Sequence, residues 1–276
     1  MTAIPADRKW IRAGRSTKGL AGVILITLLV LAAVAGPLLL GVSPYEQGAD
    51  ALAGPSGAHL LGTDEVGRDL LARTLYGIRS DLLICLVAVP LAALLGTGLG
   101  LLGGLTRWGG EVIQRVFDVL LGFHGVILGM AIALVISPGF VAVVTAIVLI
   151  TVPSFGRQAR AALLQQLSRE YVLAATTVGA SKARVLGRHV LPNVTDSVTA
   201  LFAVAMANAV KIEGGLSLIG LGIQPPEPSL GTMISAGSRY IQVAPQYALV
   251  PVLLLAALVL GLTLLSDAIN RERLRS

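Results

Sequence analysis

Residues Leu82 to Leu105 read LLICLVAVPLAALLGTGLGLLGGL, an unbroken run without a single charged side chain. A helix needs about 20 mostly apolar residues to cross the hydrocarbon layer of a bilayer, and this run is long enough. Five further stretches qualify: Leu20 to Val42, Val112 to Ile136, Gly139 to Val152, Val194 to Ile212 and Tyr247 to Leu265. The stretch from Gly139 is short and reaches across only with Thr151 to Phe155. Membrane-spanning strands would be shorter and would alternate apolar with polar residues, and no such alternation is present. The expected fold is an all-α integral membrane protein with six transmembrane helices.

Composition leads to the same class. Of 276 residues 55% are apolar and 13% are charged, where a soluble domain carries about 25% charged residues. The mean hydropathy is +0.82. A water-soluble globule of this size cannot hide that much apolar surface, and disorder requires the opposite balance. The 32 glycines follow no three-residue period, which excludes a collagen-like chain. Cys85 is the single cysteine, so an internal disulfide framework and a Cys-rich metal site are excluded.

Orientation follows from Lys and Arg in the loops. With the N-terminus inside, the cytoplasmic segments hold sixteen basic residues, among them Arg8, Lys9, Arg12, Arg157, Arg160, Lys182, Arg188 and Arg271. The outer segments hold five: Arg68, Arg73, Arg79, Lys211 and Arg239. Both termini are therefore expected in the cytoplasm. The net charge of +6 belongs to this orientation rather than to nucleic-acid binding, which would gather basic residues on a soluble module. Ala33-Val34-Ala35 resembles a signal-peptide cleavage site. The apolar run continues through Leu38 to Val42, however, so an uncleaved first helix is expected.

The chain divides into a cytoplasmic tail 1–19, a first helix 20–42, an outer loop 43–81, a core of five helices 82–270 and a cytoplasmic tail 271–276. The core contains an inner loop 156–192 and an outer loop 214–246, the latter with Pro225, Pro226 and Pro228. The inner loop is far longer than a connection needs. Tyr171, Ala174, Ala175 and Val178 recur at helical spacing. Gly179 is placed to end that helix in a left-handed conformation. Ala180 follows, and Ser181 is a plausible N-cap for a second helix. There Val185, Leu186, His189 and Val190 form an apolar stripe flanked by Lys182, Arg184 and Arg188, and Pro192 leads into the next span. Two readings fit: a helical hairpin lying on the lipid surface, and a knob that docks in a groove of a cytoplasmic partner.

This loop resembles the EAA motif of permease subunits of bacterial ABC importers. Ala174-Ala175, Gly179 and Leu191-Pro192 stand at the family's spacing, while Leu173 replaces the usual Glu. Within that superfamily the chain is most similar to the dipeptide, oligopeptide and nickel permeases. The likeness is carried by Leu61-Gly-Thr-Asp-Glu-Val-Gly-Arg-Asp-Leu-Leu-Ala-Arg73 with Tyr76-Gly77, and by Arg115, Asp118 and Phe123, where His124 replaces the usual Pro. Leu216-Ser-Leu-Ile-Gly-Leu-Gly-Ile-Gln-Pro-Pro-Glu-Pro-Ser229 completes it.

The resemblance implies the type I ABC importer permease fold in a bacterial plasma or inner membrane. It also implies a second homologous permease, two ATPase subunits and an extracytoplasmic binding protein as partners. It makes Ala174, Ala175, Gly179, Ala180, Ser181, Lys182, Val185, Leu186 and His189 the ATPase-coupling element. Dipeptides or short oligopeptides are the implied cargo, with nickel or another metal chelate as the alternative. ATP and Mg would bind the ATPase partners, with no cofactor and no catalytic residue in this chain. A P-loop needs Gly-Lys before Ser or Thr, and none of Lys9, Lys18, Lys182 and Lys211 follows a glycine.

Other features weigh function against structure. Asp64, Glu65 and Asp69 lack the spacing of a calcium loop. Arg68 and Arg73 are expected to pair with them and pin an amphipathic helix on the outer surface. Asp118, Asn208, Lys211 and Glu213 are polar groups at membrane depth, which are functional candidates by default. Asn208 and Glu213 are the pathway candidates, although a span ending at Ile212 would let Glu213 reach the lipid headgroups instead. By the resemblance, Glu213 matches a Glu common in the family and Lys211 stands at a usually apolar position. Gly214-Gly215 would allow the helix to break. Gly96, Gly100 and Gly104 permit close helix approach. His124 is expected in a packed core, and no metal cluster is expected. A secondary transporter would show inverted repeats, which are not evident. An intramembrane hydrolase would need Gly where Ile219 follows Ser217.

Overall fold

The computed structural model describes residues 16–105, 107–170, 172 and 190–274. Among them are eight helices. They are α1 (Thr17–Leu40), α2 (Leu70–Leu105), α3 (Arg107–Gly122), α4 (Gly125–Ile136), α5 (Phe140–Leu167), α6 (Leu191–Leu218), α7 (Leu230–Ser238) and α8 (Pro245–Leu274). Of these, α1, α2, α5, α6 and α8 are each long and apolar enough to cross a membrane. The pair α3 and α4 passes the same test only together, bent by 97° at its break.

That break corrects the expectation of one continuous span from Val112 to Ile136. His124 adopts an extended backbone with φ −65° and ψ 132°, and Gly122 and Gly125 flank it closely. The two halves also differ in chemistry. In α3, Glu111, Gln114, Arg115 and Asp118 interrupt the apolar positions, whereas α4 reads GVILGMAIALVI without a polar side chain. Scoring the stretch as one window averaged an amphipathic helix with an apolar one. His124 itself is exposed at the bend, which corrects its placement in a packed core.

Helix α2 has 36 residues, about 54 Å at 1.5 Å per residue, against a hydrocarbon core of about 30 Å. It starts at Leu70 rather than Leu82 because Asp69 caps it, its Oδ1 accepting the Ala72 amide at 2.8 Å. Helix α5 likewise runs well past Phe155. Helix α6 continues through Gly214 and Gly215 to Leu218 instead of ending at Ile212. The glycine pair does not break it, and Gly214 admits the Leu255 side chain of α8.

The core is built where α2 crosses α5. Ile84, Cys85, Ala88, Val89 and Ala92 of α2 pack with Val143, Ile147, Val152 and Phe155 of α5, and Phe117 of α3 closes the cluster. Small residues set the closeness of this crossing. A Cβ at Gly96 would lie 2.5 Å from the Val152 carbonyl oxygen, and one at Gly104 would lie 2.5 Å from Leu163 Cδ2. The spacing of Gly96, Gly100 and Gly104 therefore serves packing within the chain. Helix α1 lies against α8, where Gly22 faces the Gly261 carbonyl.

Candidate functional site

Outside the bundle, residues 43–69 fold around one carboxylate. Asp64 accepts hydrogen bonds from the amides of Val66 and Arg68 at 3.0 and 2.9 Å, and from Arg68 Nε at 2.6 Å. Arg73 Nε lies 3.3 Å from the same carboxylate, and Arg73 Nη1 donates to the Pro44 carbonyl at 2.9 Å. Asp69 also holds His59 Nδ1 at 2.9 Å. The expected Arg–acid pairs are thus present, but they organise a turn and not an amphipathic helix. Gly62 and Gly67 take positive φ there, and backbone from Ala53 and Gly48 fills the space where a Cβ would sit.

This cap is tied to the loop before α7. The Tyr45 hydroxyl donates to Glu227 at 2.8 Å. Burial and then that bond push the Tyr45 phenol up to about 12, so it stays a donor at neutral pH. Ser229 caps α7 reciprocally with Thr232.

Beneath the cap lies a polar cluster inside the bundle. Glu213 is fully buried, and its Oε1 accepts from the Ser217 hydroxyl at 2.6 Å. Ser229 Oγ donates to Ser217 Oγ at 3.4 Å. Glu213 is enclosed by protein, which corrects the reading in which it reaches the headgroups. The neighbouring acid is Asp81 of α2, also fully buried, with neither oxygen in a well-formed hydrogen bond. The Leu230 amide faces it without closing that geometry. Asp81 was missed because the apolar run appeared to begin after it. Only the early start of α2 puts it a full three turns into a helix.

A buried carboxyl without a well-formed hydrogen bond costs about 1–3 kcal/mol, so replacing it with an apolar side chain of similar size should stabilise the bundle. Asp81→Val, closer to Asp in volume than Leu is, is expected to raise the apparent Tm of the detergent-purified protein by a few degrees. A lowered Tm would mean that Asp81 has a partner that stabilises it.

The second polar group lies on another face of α6. Asn208 and Lys211 are exposed, and Lys211 Nζ donates to Asn208 Oδ1 at 3.3 Å. Both line a cavity of about 250 Å³ with Thr151 and Ser154 of α5. The two pathway candidates therefore separate: Asn208 opens on a cavity, and Glu213, five positions further on, faces the packed interior. Asp118 of α3 pairs with Arg157 of α5 at 2.5 Å, with both side chains about half exposed.

The coupling residues Ala174, Ala175, Gly179, Ala180, Ser181, Lys182, Val185, Leu186 and His189 lie outside the described residues. Val172 and Val190, which bound that segment, bury in the same cluster as Ala159, Ala162, Leu163 and Val194. No group of three or more His, Cys, Asp or Glu suited to a metal occurs among the described residues.

Residues 96–273 match the family described as binding-protein-dependent transport system inner membrane component. The chain is 33% identical to the dipeptide transport system permease protein of Alkalihalophilus pseudofirmus, over 98% of this chain and 90% of that protein. It is 34% identical to the glutathione transport system permease protein of Pectobacterium atrosepticum, over 79% of this chain and 72% of that one. Among solved structures, the inward-facing MetNI methionine ABC transporter superposes with a TM-score of 0.57 at 17% identity, covering 72% of this chain and 94% of that chain. An amino acid ABC transporter with histidines gives 0.57 at 16% identity, covering 72% and 93%. At such identities these two speak for the fold alone.

Proposed function

The chain belongs to the family of binding-protein-dependent transport system inner membrane components, as an ABC importer permease of the dipeptide and oligopeptide type, and on that premise we propose that it forms half of a translocation pathway for dipeptides or short oligopeptides. The observation that carries the peptide reading is the 33% identity to a dipeptide permease across 98% of the chain. Permeases named for di- and tripeptides and for glutathione, itself a short peptide, support the same cargo class. In this reading a second, non-identical permease supplies the other half of the pathway. Two ATPase subunits bind on the cytoplasmic side, and a binding protein delivers cargo from outside. Both termini are cytoplasmic, as the basic residues argue.

The test is uptake of a labelled dipeptide by the host with and without this chain. Loss of dipeptide uptake with unchanged nickel uptake supports the reading. Loss of nickel uptake with unchanged dipeptide uptake would replace the cargo.

The segment from Ser181 to Val190 is the proposed coupling helix, with Leu186 at the centre of its apolar stripe. Burying such a side chain is worth roughly 1.5–3 kcal/mol, and losing about 3 kcal/mol weakens docking on the order of a hundredfold. Leu186→Ala should therefore leave membrane insertion normal while the ATPase subunits are lost on purification. Full recovery of the ATPases with full cargo-stimulated hydrolysis would favour a hairpin resting on lipid.

A further inference from the structure

Lys211 is a charged side chain on a membrane helix, and it has no ion-pair partner among the described residues. The ion pairs among the described residues are His59–Asp69, Arg68 with Asp64 and Glu65, Arg73–Asp64 and Arg157–Asp118. None involves Lys211. Glu213, the nearest acid along the chain, is turned into the packed interior and bonded to Ser217. The ammonium has three donors, and Asn208 Oδ1 takes one of them.

A lysine near the end of a span can lower its cost by snorkelling to the nearer interface. Lys211 lies seven positions before the C-terminal end of α6 at Leu218, so that interface would be on the Leu218 side. Its ammonium is instead bonded to Asn208, one turn toward the N-terminus, which carries the charge away from that end and toward mid-membrane. Side chains on a helix lean toward its N-terminus, and here the hydrogen bond holds that direction.

Lys211 borders two cavities, an apolar one of about 660 Å³ toward α8 and the smaller one beside Asn208, and the bond to Asn208 turns the charge toward the smaller. Leu201, Asn208, Lys211 and Ile212 of α6 line it from one side, and Thr151 and Ser154 of α5 from the other. A cation, an amide and two hydroxyls share about 250 Å³ with Ile150, Leu201, Ala205 and Ile212, a mostly apolar cavity with polar groups suited to an anion with one charge and two acceptor oxygens. We propose that Lys211 lies in the translocation pathway and binds the terminal carboxylate of the cargo as it crosses. This rests on the peptide reading above, since every unblocked peptide carries such a carboxylate. Lys provides a mobile point charge, in contrast to the fixed bidentate fork of Arg, and a group that must release its cargo needs no more.

The experiment uses the complete importer in proteoliposomes with saturating binding protein, labelled dialanine as cargo and ATP supplied to the ATPase side. Lys211→Met should assemble normally and keep hydrolysis stimulated by loaded binding protein. Dialanine uptake should fall about tenfold, the factor that one charge-assisted hydrogen bond supplies. Lys211→Arg should retain uptake within about threefold, and Lys211→Glu should transport less than Lys211→Met. Unchanged uptake by Lys211→Met would overturn the proposal. Loss of the second permease from the Lys211→Met complex would also overturn it, assigning Lys211 to an ion pair between subunits. Failure of the wild-type complex to take up dialanine would count against the peptide reading itself, and that control is read separately from the variants.

Discussion

Gly100→Val should abolish accumulation of the folded chain in the membrane. A Cβ at Gly100 would overlap the backbone of Gly156, its carbonyl oxygen above all, across the α2–α5 crossing. Overpacking usually costs about 1–3 kcal/mol because neighbouring side chains shift. Here the obstacle is backbone on both sides, so two long helices must separate along their length. Separation would open the cluster of Ala92, Val152 and Phe155 that the crossing buries. The control is Gly98→Ala on the same helix. Nothing lies within 4 Å of a Cβ there, and alanine improves helix propensity, so normal accumulation is expected. Comparing the two by fluorescence-detected size exclusion separates a packing effect from a general intolerance of glycine replacement. A monodisperse Gly100→Val peak at wild-type level would refute the packing geometry.

Asp64→Ala should be the most damaging single change outside the bundle. It removes the acceptor for two backbone amides and leaves Arg68 and Arg73 buried, at 8% and 4% exposure, without their shared counter-ion. Removing one partner of a buried pair typically costs about 3–5 kcal/mol, because the remaining charge stays desolvated. Glu65→Ala provides the contrast. Its contact with Arg68 is 3.6 Å long and its carboxylate is more exposed than that of Asp64, with the Tyr247 hydroxyl as a second partner, so a smaller loss than for Asp64→Ala is expected. Thermal unfolding in detergent, or protease sensitivity of the 43–69 segment, would rank the two. Equal effects would contradict the central place of Asp64.

The membrane class was legible because hydropathy over about 20 residues is a coarse signal that local detail cannot reverse. The glycine spacing in α2 was legible for a similar reason: three small residues four apart fall on one helix face whatever lies opposite. What remained hidden depended on neighbours in space. The bend at His124 comes from two glycines and a change of amphipathicity that window averaging removes. The early start of α2 depends on the Asp69 cap, one hydrogen bond made by one side chain. Glu213 and Lys211 are two apart, and their spacing showed only that they face differently. It took the packing of α2 and α7 against α6 to decide that Glu213 is enclosed while Lys211 opens on a cavity. Asp81 carried no readable signal, since it sits beside Arg79 and Ser80 at what looked like the edge of a loop.

The most direct measurement is ATP-dependent uptake in a defined system. The chain is co-purified with the proposed second permease and ATPases, reconstituted in liposomes, and supplied with the proposed binding protein and labelled dipeptide on the opposite side from ATP. Accumulation of the dipeptide against its gradient is expected with ATP, and none with a non-hydrolysable analogue or without this chain. Accumulation driven by a proton or sodium gradient in the absence of ATP would contradict the account.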